Sequence, residues 1–181
     1  GFCGDKVDKR PRNRGFINPH DYLSISKADI ILTFFGANEA WDKNPGNYKG
    51  ALAKWIDETR SKKYNGKSAP RIVLFSPIAH ENLESPNLPD GKEQNKHLAA
   101  YAAATADVAK EKEVEYIDLF KASQDLYDVS GETLTLNGIH LTNDGNRQLA
   151  QVIFKALFGK DAPTNHKHLE QTKAAVLDKN W

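Results

Sequence analysis

Three short apolar runs punctuate the chain: Asp29-Ile30-Ile31-Leu32-Thr33-Phe34-Phe35, Arg71-Ile72-Val73-Leu74-Phe75-Ser76 and Val114-Glu115-Tyr116-Ile117-Asp118-Leu119. The first two are continuous and rich in β-branched and aromatic residues, the composition of strands covered on both faces in a parallel sheet. Glu115 and Asp118 interrupt the third, as expected of a strand nearer an edge. Between the runs the period becomes helical. Tyr48, Leu52, Trp55, Ile56 and Thr59 share one face, and so do Leu98, Tyr101, Ala102, Thr105, Val108 and Ala109. Leu149, Val152, Ile153, Ala156 and Leu157 form a third stripe that Gly159 closes, with Thr142 or Asn143 as its N-cap. Strand, helix and strand at this spacing predict right-handed βαβ units, hence an α/β sandwich with helices on both faces.

The rest reads as loops and a tail. Lys6 to Asn18 is charged and holds Pro11 and Gly15. Ile78 to Lys92 carries Pro86, Pro89 and Gly91 and is long for a strand-to-helix connection, which at that end of a parallel sheet suits a binding site. After Pro163 a polar stretch leads into an amphipathic segment, His168 to Asn180, read as a linker helix. These features divide the chain into a domain over 1–160 and a tail over 161–181.

Composition narrows the function classes. With 181 residues and 39% hydrophobic, the chain can bury the core of one domain. Lys plus Arg number 25 against 24 for Asp plus Glu, a net charge of +1, which disfavours a nucleic-acid binder. No apolar run approaches the roughly 18 residues of a membrane span, and no signal peptide opens the chain. A single cysteine excludes an internal disulfide and a cysteine-based zinc cluster. The lack of Met and the opening at Gly1-Phe2-Cys3-Gly4-Asp5 suggest a piece of a longer protein. There is no repeat, GxGxxG or P-loop, so a phosphate-cradling nucleotide site has no support.

Ligands of parallel α/β sheets bind beyond the carboxyl ends of the strands. There the sequence offers Gly36-Ala37-Asn38-Glu39-Ala40-Trp41, then Ser76-Pro77-Ile78-Ala79-His80-Glu81-Asn82, and further on Asn137-Gly138-Ile139-His140-Leu141-Thr142. Gly36-Ala37-Asn38-Glu39 resembles the GxND block of SGNH (GDSL-type) hydrolases, and Asn137 to Thr142 resembles their DGIHLT block. Gly1 to Asp5 is similar to the family's glycine block. The resemblance runs from Gly1 to about Gly159. It implies a flavodoxin-like three-layer α/β/α sandwich with a parallel sheet of order 2-1-3-4-5, of which this chain supplies the last three strands.

The resemblance also implies roles. His140 would be the general base, while the Asn38 amide and the Gly4 N–H would form the oxyanion hole. Two departures stand out. The family's nucleophilic serine lies in a Gly-Asp-Ser block before the glycine block, and none of the eight serines here has that context. Asn137 stands where the family has the aspartate that orients the histidine; an amide can accept the imidazole's hydrogen bond but cannot stabilise the imidazolium electrostatically. The Phe-Ser-Pro-Ile-Ala-His-Glu-Asn stretch and the Asn-Gly-Ile-His ending look like SGNH-like domains of large, secreted, multidomain bacterial proteins. That likeness implies a secreted or periplasmic location and fusion to further domains.

The implied function is a serine ester hydrolase acting on a small-molecule or glycan ester, with no cofactor or metal. His80, Trp41 and Glu39 are candidate substrate contacts, although His80 equally fits a solvated loop start and Glu39 a support for its loop. Cys3 reads as a small buried thiol rather than a nucleophile, and His166 and His168 as linker residues rather than metal ligands. Two rival readings stay open: a non-catalytic SGNH-like domain that binds glycans or braces its neighbours, and an unrelated flavodoxin-like binding domain. The expected behaviour of the 181-residue chain alone is poor solubility and no ester turnover.

Overall fold

The computed structural model describes residues 5–9, 17–163 and 168–179. Three parallel strands, β1 (Ile30–Thr33), β2 (Arg71–Phe75) and β3 (Glu115–Ile117), form a sheet of order β1-β2-β3. Ile31 lies beside Ile72 and Leu32 beside Val73, and across the next ladder Val73 lies beside Glu115 and Phe75 beside Ile117. Two long helices join the strands, α2 (Pro45–Arg60) and α3 (Lys92–Glu111). Beyond them come α4 (Leu119–Val129) and α5 (Asn143–Phe158), while a short helix α1 (Pro19–Ile25) precedes β1 and α6 (Leu169–Lys179) follows the domain.

The two-residue alternation of a strand divides the core into layers. Ile31, Ile72 and Leu74 pack with Tyr48, Leu52 and Ile56 of α2 and with Leu98, Tyr101 and Val108 of α3. Val73, Phe75 and Ile117 point the other way, onto Leu119 and Leu126 of α4 and Leu149 and Ile153 of α5. Helices therefore cover both faces of β2, as its continuous apolar run predicts. β1 departs from that expectation: Ile30, Leu32 and Phe34 share one face and remain 53%, 45% and 57% exposed. The Phe34 ring stacks on Phe75 at 4.5 Å between centroids.

The helix boundaries follow from capping. Thr142, rather than Asn143, caps α5 through Gly145 N–H, and Gly159 ends it in the left-handed conformation. Asn44 caps α2 through Asn47 N–H, followed by Pro45 in the first turn, where a missing N–H costs nothing. The segment 78–91 crosses from β2 to α3 without regular structure, as its prolines suggest. Described side chains of the tail helix α6 are exposed throughout. No described helix is long and apolar enough to cross a membrane.

Candidate functional site

The chain segments leaving the carboxyl ends of β1 and β2 meet the block that precedes α5. Phe34 and Ala37 from the first, Ile78 from the second and Leu141 from the third, with Leu149 and Ile153 of α5 itself, line a cavity of about 430 Å³. Ala37 and Leu141 are the chain neighbours of Asn38 and His140, so the two motif blocks flank one cavity at the ligand-binding end of the sheet.

Asn38 opens a short 3₁₀ turn, Glu39–Asp42, yet its side chain does not cap it. Instead its Nδ2 donates to the carbonyl of Asp5 at 2.9 Å. Since an amide nitrogen carries two donors, this bond fixes the side chain and leaves a second N–H for a ligand. The same segment is tied down twice more. Val7 N–H donates to Glu39 Oε1 at 2.7 Å with the Val7 side chain buried, and Lys6 pairs with Asp42. The chain just after Gly4 is thus docked against the Asn38 turn. Gly4 itself, Cys3 and His166 lie outside the described residues.

His140 is exposed, and its Nδ1 faces Asn137 Oδ1 at 3.1 Å. The backbone N–H of His140 also donates to Asn137 Oδ1, at 3.0 Å. A backbone N–H can only donate, so the amide must present its oxygen here rather than its nitrogen. The oxygen in turn requires a proton on Nδ1, which leaves the Nε2 lone pair outward as a base. A neutral asparagine can reverse the tautomer when its NH₂ faces the ring; the backbone bond prevents that reversal. What it cannot restore is the carboxylate's stabilisation of an imidazolium.

His80 and Glu39, read from the sequence as substrate contacts, are both buried, at 8% and 4% exposure. The Glu39 oxygens accept from Val7 N–H and, at 2.9 Å, from Gly36 N–H, so this carboxylate fastens the loop rather than facing a substrate. His80 Nδ1 donates to the carbonyl of Glu81 at 2.9 Å, since a carbonyl can only accept. Neither reaches solvent. Trp41 does, at 64% exposure, on the 3₁₀ turn. His168 Nδ1 meets Gln171 Oε1 at 2.9 Å, and no cluster of three metal-ligating side chains occurs among the described residues.

Ser76, at the end of β2 and on the cavity wall, is 1% exposed. Its Oγ accepts from Leu119 N–H at 2.7 Å and Phe120 N–H at 2.8 Å and donates to Asp118 at 3.2 Å. Both lone pairs and the proton are committed to the first turn of α4. Ser123 is buried too, accepting from Ala79 N–H at 2.8 Å and donating to Phe120 O at 3.0 Å. Neither hydroxyl is placed to attack a substrate.

Twenty-seven solved chains resemble this structure. A catalytic mutant of an acetylxylan esterase from Geobacillus stearothermophilus aligns over 78% of this chain and 64% of its own, with TM-score 0.60 and 16% identity. A lipase/acylhydrolase from Enterococcus faecalis aligns over 90% of this chain and 75% of its own, with TM-score 0.57 and 23% identity. A carbohydrate acetylesterase from Sinorhizobium meliloti aligns over 86% and 75%, with TM-score 0.55 and 18% identity. At such identities the likeness carries the fold, the SGNH-hydrolase α/β/α sandwich. No curated protein matches the chain. The model of the GDSL-like lipase/acylhydrolase family matches residues 1–148, from the start of the chain through the Asn38 turn and the His140 block. By that match, over most of its length, the chain belongs to the GDSL-like lipase/acylhydrolase family.

Proposed function

We propose that this chain is the base and oxyanion-hole portion of a serine ester hydrolase, with acylated carbohydrate as the substrate class. The observation that carries the proposal is the Asn137–His140 bond, whose geometry puts the ring proton on Nδ1 and leaves the Nε2 lone pair to act as a base. In the proposed reaction His140 Nε2 takes the proton of a serine hydroxyl as its oxygen attacks the ester carbonyl. The tetrahedral oxyanion is received by the Asn38 Nδ2–H and by the Gly4 N–H. His140 then passes its proton to the departing alkoxide, leaving an acyl-serine that water cleaves by the same steps. The serine comes from outside these residues: the buried hydroxyls of Ser76 and Ser123 are committed elsewhere, and no serine lies in a Gly-Asp-Ser context. The acetylxylan and carbohydrate acetylesterase activities named for the structural neighbours suggest the substrate.

The test uses the protein extended upstream of Gly1, offered acetylated xylo-oligosaccharides and labelled with a fluorophosphonate. Turnover should fall roughly 100- to 10,000-fold in His140→Ala and roughly 100- to 1,000-fold in Asn38→Ala. The 181-residue chain alone should turn over nothing. A neutral Asn137 in the orienting position favours one rival, a non-catalytic glycan-binding domain. Sugar binding by an extended protein that resists the fluorophosphonate would establish that rival and end the hydrolase reading.

A further inference from the structure

The loop that carries His140 rests on a buried carboxylate that the proposed reaction does not use. Glu81 is 6% exposed. Its Oε1 accepts from Leu134 N–H at 2.9 Å, and its Oε2 from the Thr135 N–H at 2.7 Å and the Thr135 hydroxyl at 2.6 Å. Thr135 Oγ1 accepts in turn from Gly138 N–H at 3.0 Å. The ring closes where the Gly138 carbonyl accepts from Glu81 N–H at 2.9 Å. Burying an ionised carboxylate costs several kcal/mol unless hydrogen bonds meet it. Here the donors that meet it, from Leu134 and Thr135, all belong to the loop that leads to His140.

The same loop is braced by His80 as well. The His80 ring fills the space against Gly138, where a Cβ would lie 2.0 Å from His80 Cε1. Asn95 of α3 holds the backbone of His80 with both ends of its amide, accepting from the N–H at 2.7 Å and donating to the carbonyl at 2.9 Å. Glu81 also acts on its surroundings: the Tyr127 hydroxyl is pushed up to about 12, by burial first and by the Glu81 charge second.

We infer that Glu81, acting through Thr135, is a positioning residue for His140: it fixes the Thr135–Gly138 turn that aims Asn137 Oδ1 at the imidazole. This rests on reading His140 as the catalytic base. The carboxylate matters because a side-chain amide has one acceptor oxygen, whereas Glu81 offers two to three donors. Substitution by glutamine sets an NH₂ against the backbone N–H of Leu134 or of Thr135, which can only donate.

The experiment is ¹⁵N NMR of the His140 ring in the protein extended upstream of Gly1, with the resonance assigned through His140→Gln. In the wild type the neutral ring should carry its proton on Nδ1. Glu81→Gln and Thr135→Val should both lose that preference and move to the Nε2–H tautomer that free histidine favours. Thr135→Ser, which keeps the hydroxyl relay, should retain it. If Glu81→Gln does not fold, the contrast between Thr135→Val and Thr135→Ser decides. A Thr135→Val protein with a lowered melting temperature but the wild-type tautomer would reduce the network to a structural brace and overturn the inference. So would a wild-type ring protonated on Nε2. The readout needs no turnover, so a positive tautomer result beside an inactive extended protein keeps the positioning role and removes only the hydrolase reading. In an active extended protein, Thr135→Val should lower kcat by roughly a hundredfold with KM held, the cost of a misplaced base.

Discussion

Asn137 illustrates how a single oxygen can do part of a carboxylate's work. The sequence shows an amide where the family has an acid, and from that alone the tautomer could fall either way. The deciding contact is the backbone N–H of His140 on Asn137 Oδ1, which no spacing rule reveals. The interior role of Glu81 was hidden for a related reason: an acidic residue in a proline-flanked loop reads as solvated or as a substrate-facing edge, and only the three-dimensional meeting with Leu134 and Thr135 makes it an interior acceptor. Gly138, by contrast, is demanded twice over. It sits at φ +90°, a conformation that L side chains rarely adopt, and any Cβ would strike the His80 ring. Gly138→Ala should therefore lower stability by roughly 2–4 kcal/mol in urea titrations, the sum of backbone strain and a core clash. A loss under 1 kcal/mol would mean that the ring moves aside freely.

At the scale of elements, the strands and the long helices were legible because their periods are clean. Two helices were not. α1 spans only seven residues and buries no side chain, so it has no apolar stripe to read. α4 begins one residue after Asp118, which in the sequence looks like an interruption of the third strand; it is the N-cap of the helix, accepting from Lys121 N–H at 3.0 Å. The apolar Leu119 belongs to that helix and not to β3. Ser76 explains how strand and helix can follow so closely, since its hydroxyl receives the first two N–H groups of α4 from the neighbouring strand. Ser76→Ala leaves both unpaired in the interior and should cost roughly 1–3 kcal/mol by chemical denaturation. Unchanged stability would show that water or a shifted turn supplies the missing acceptor.

For the whole molecule, the decisive asymmetry is between the two faces of the sheet. The layer holding α2 and α3 is filled from β1 to β3, while the layer holding α4 and α5 stops at β2 and leaves Ile30, Leu32 and Phe34 in the open. The sequence could not reveal this, because the first apolar run looks the same whether one face or two are covered. Exposed apolar surface on an edge strand promotes association. The 181-residue chain should self-associate in sedimentation velocity runs, and Leu32→Lys should shift it toward monomer without altering its circular dichroism. A wild type that is monomeric at high concentration would contradict this.

The seat of the His80 ring has an evolutionary consequence. A Cβ at Gly138 would lie 2.0 Å from the imidazole, and one at Gly91 would lie 2.4 Å from it, so the three positions cannot drift independently. Shrinking residue 80 relieves the clash at either glycine, though not its positive φ, and leaves a void that its neighbours must refill. Positions 80, 91 and 138 thus form one epistatic unit, in which the damage from either glycine substitution should be smaller in a His80→Ala background than in the wild type.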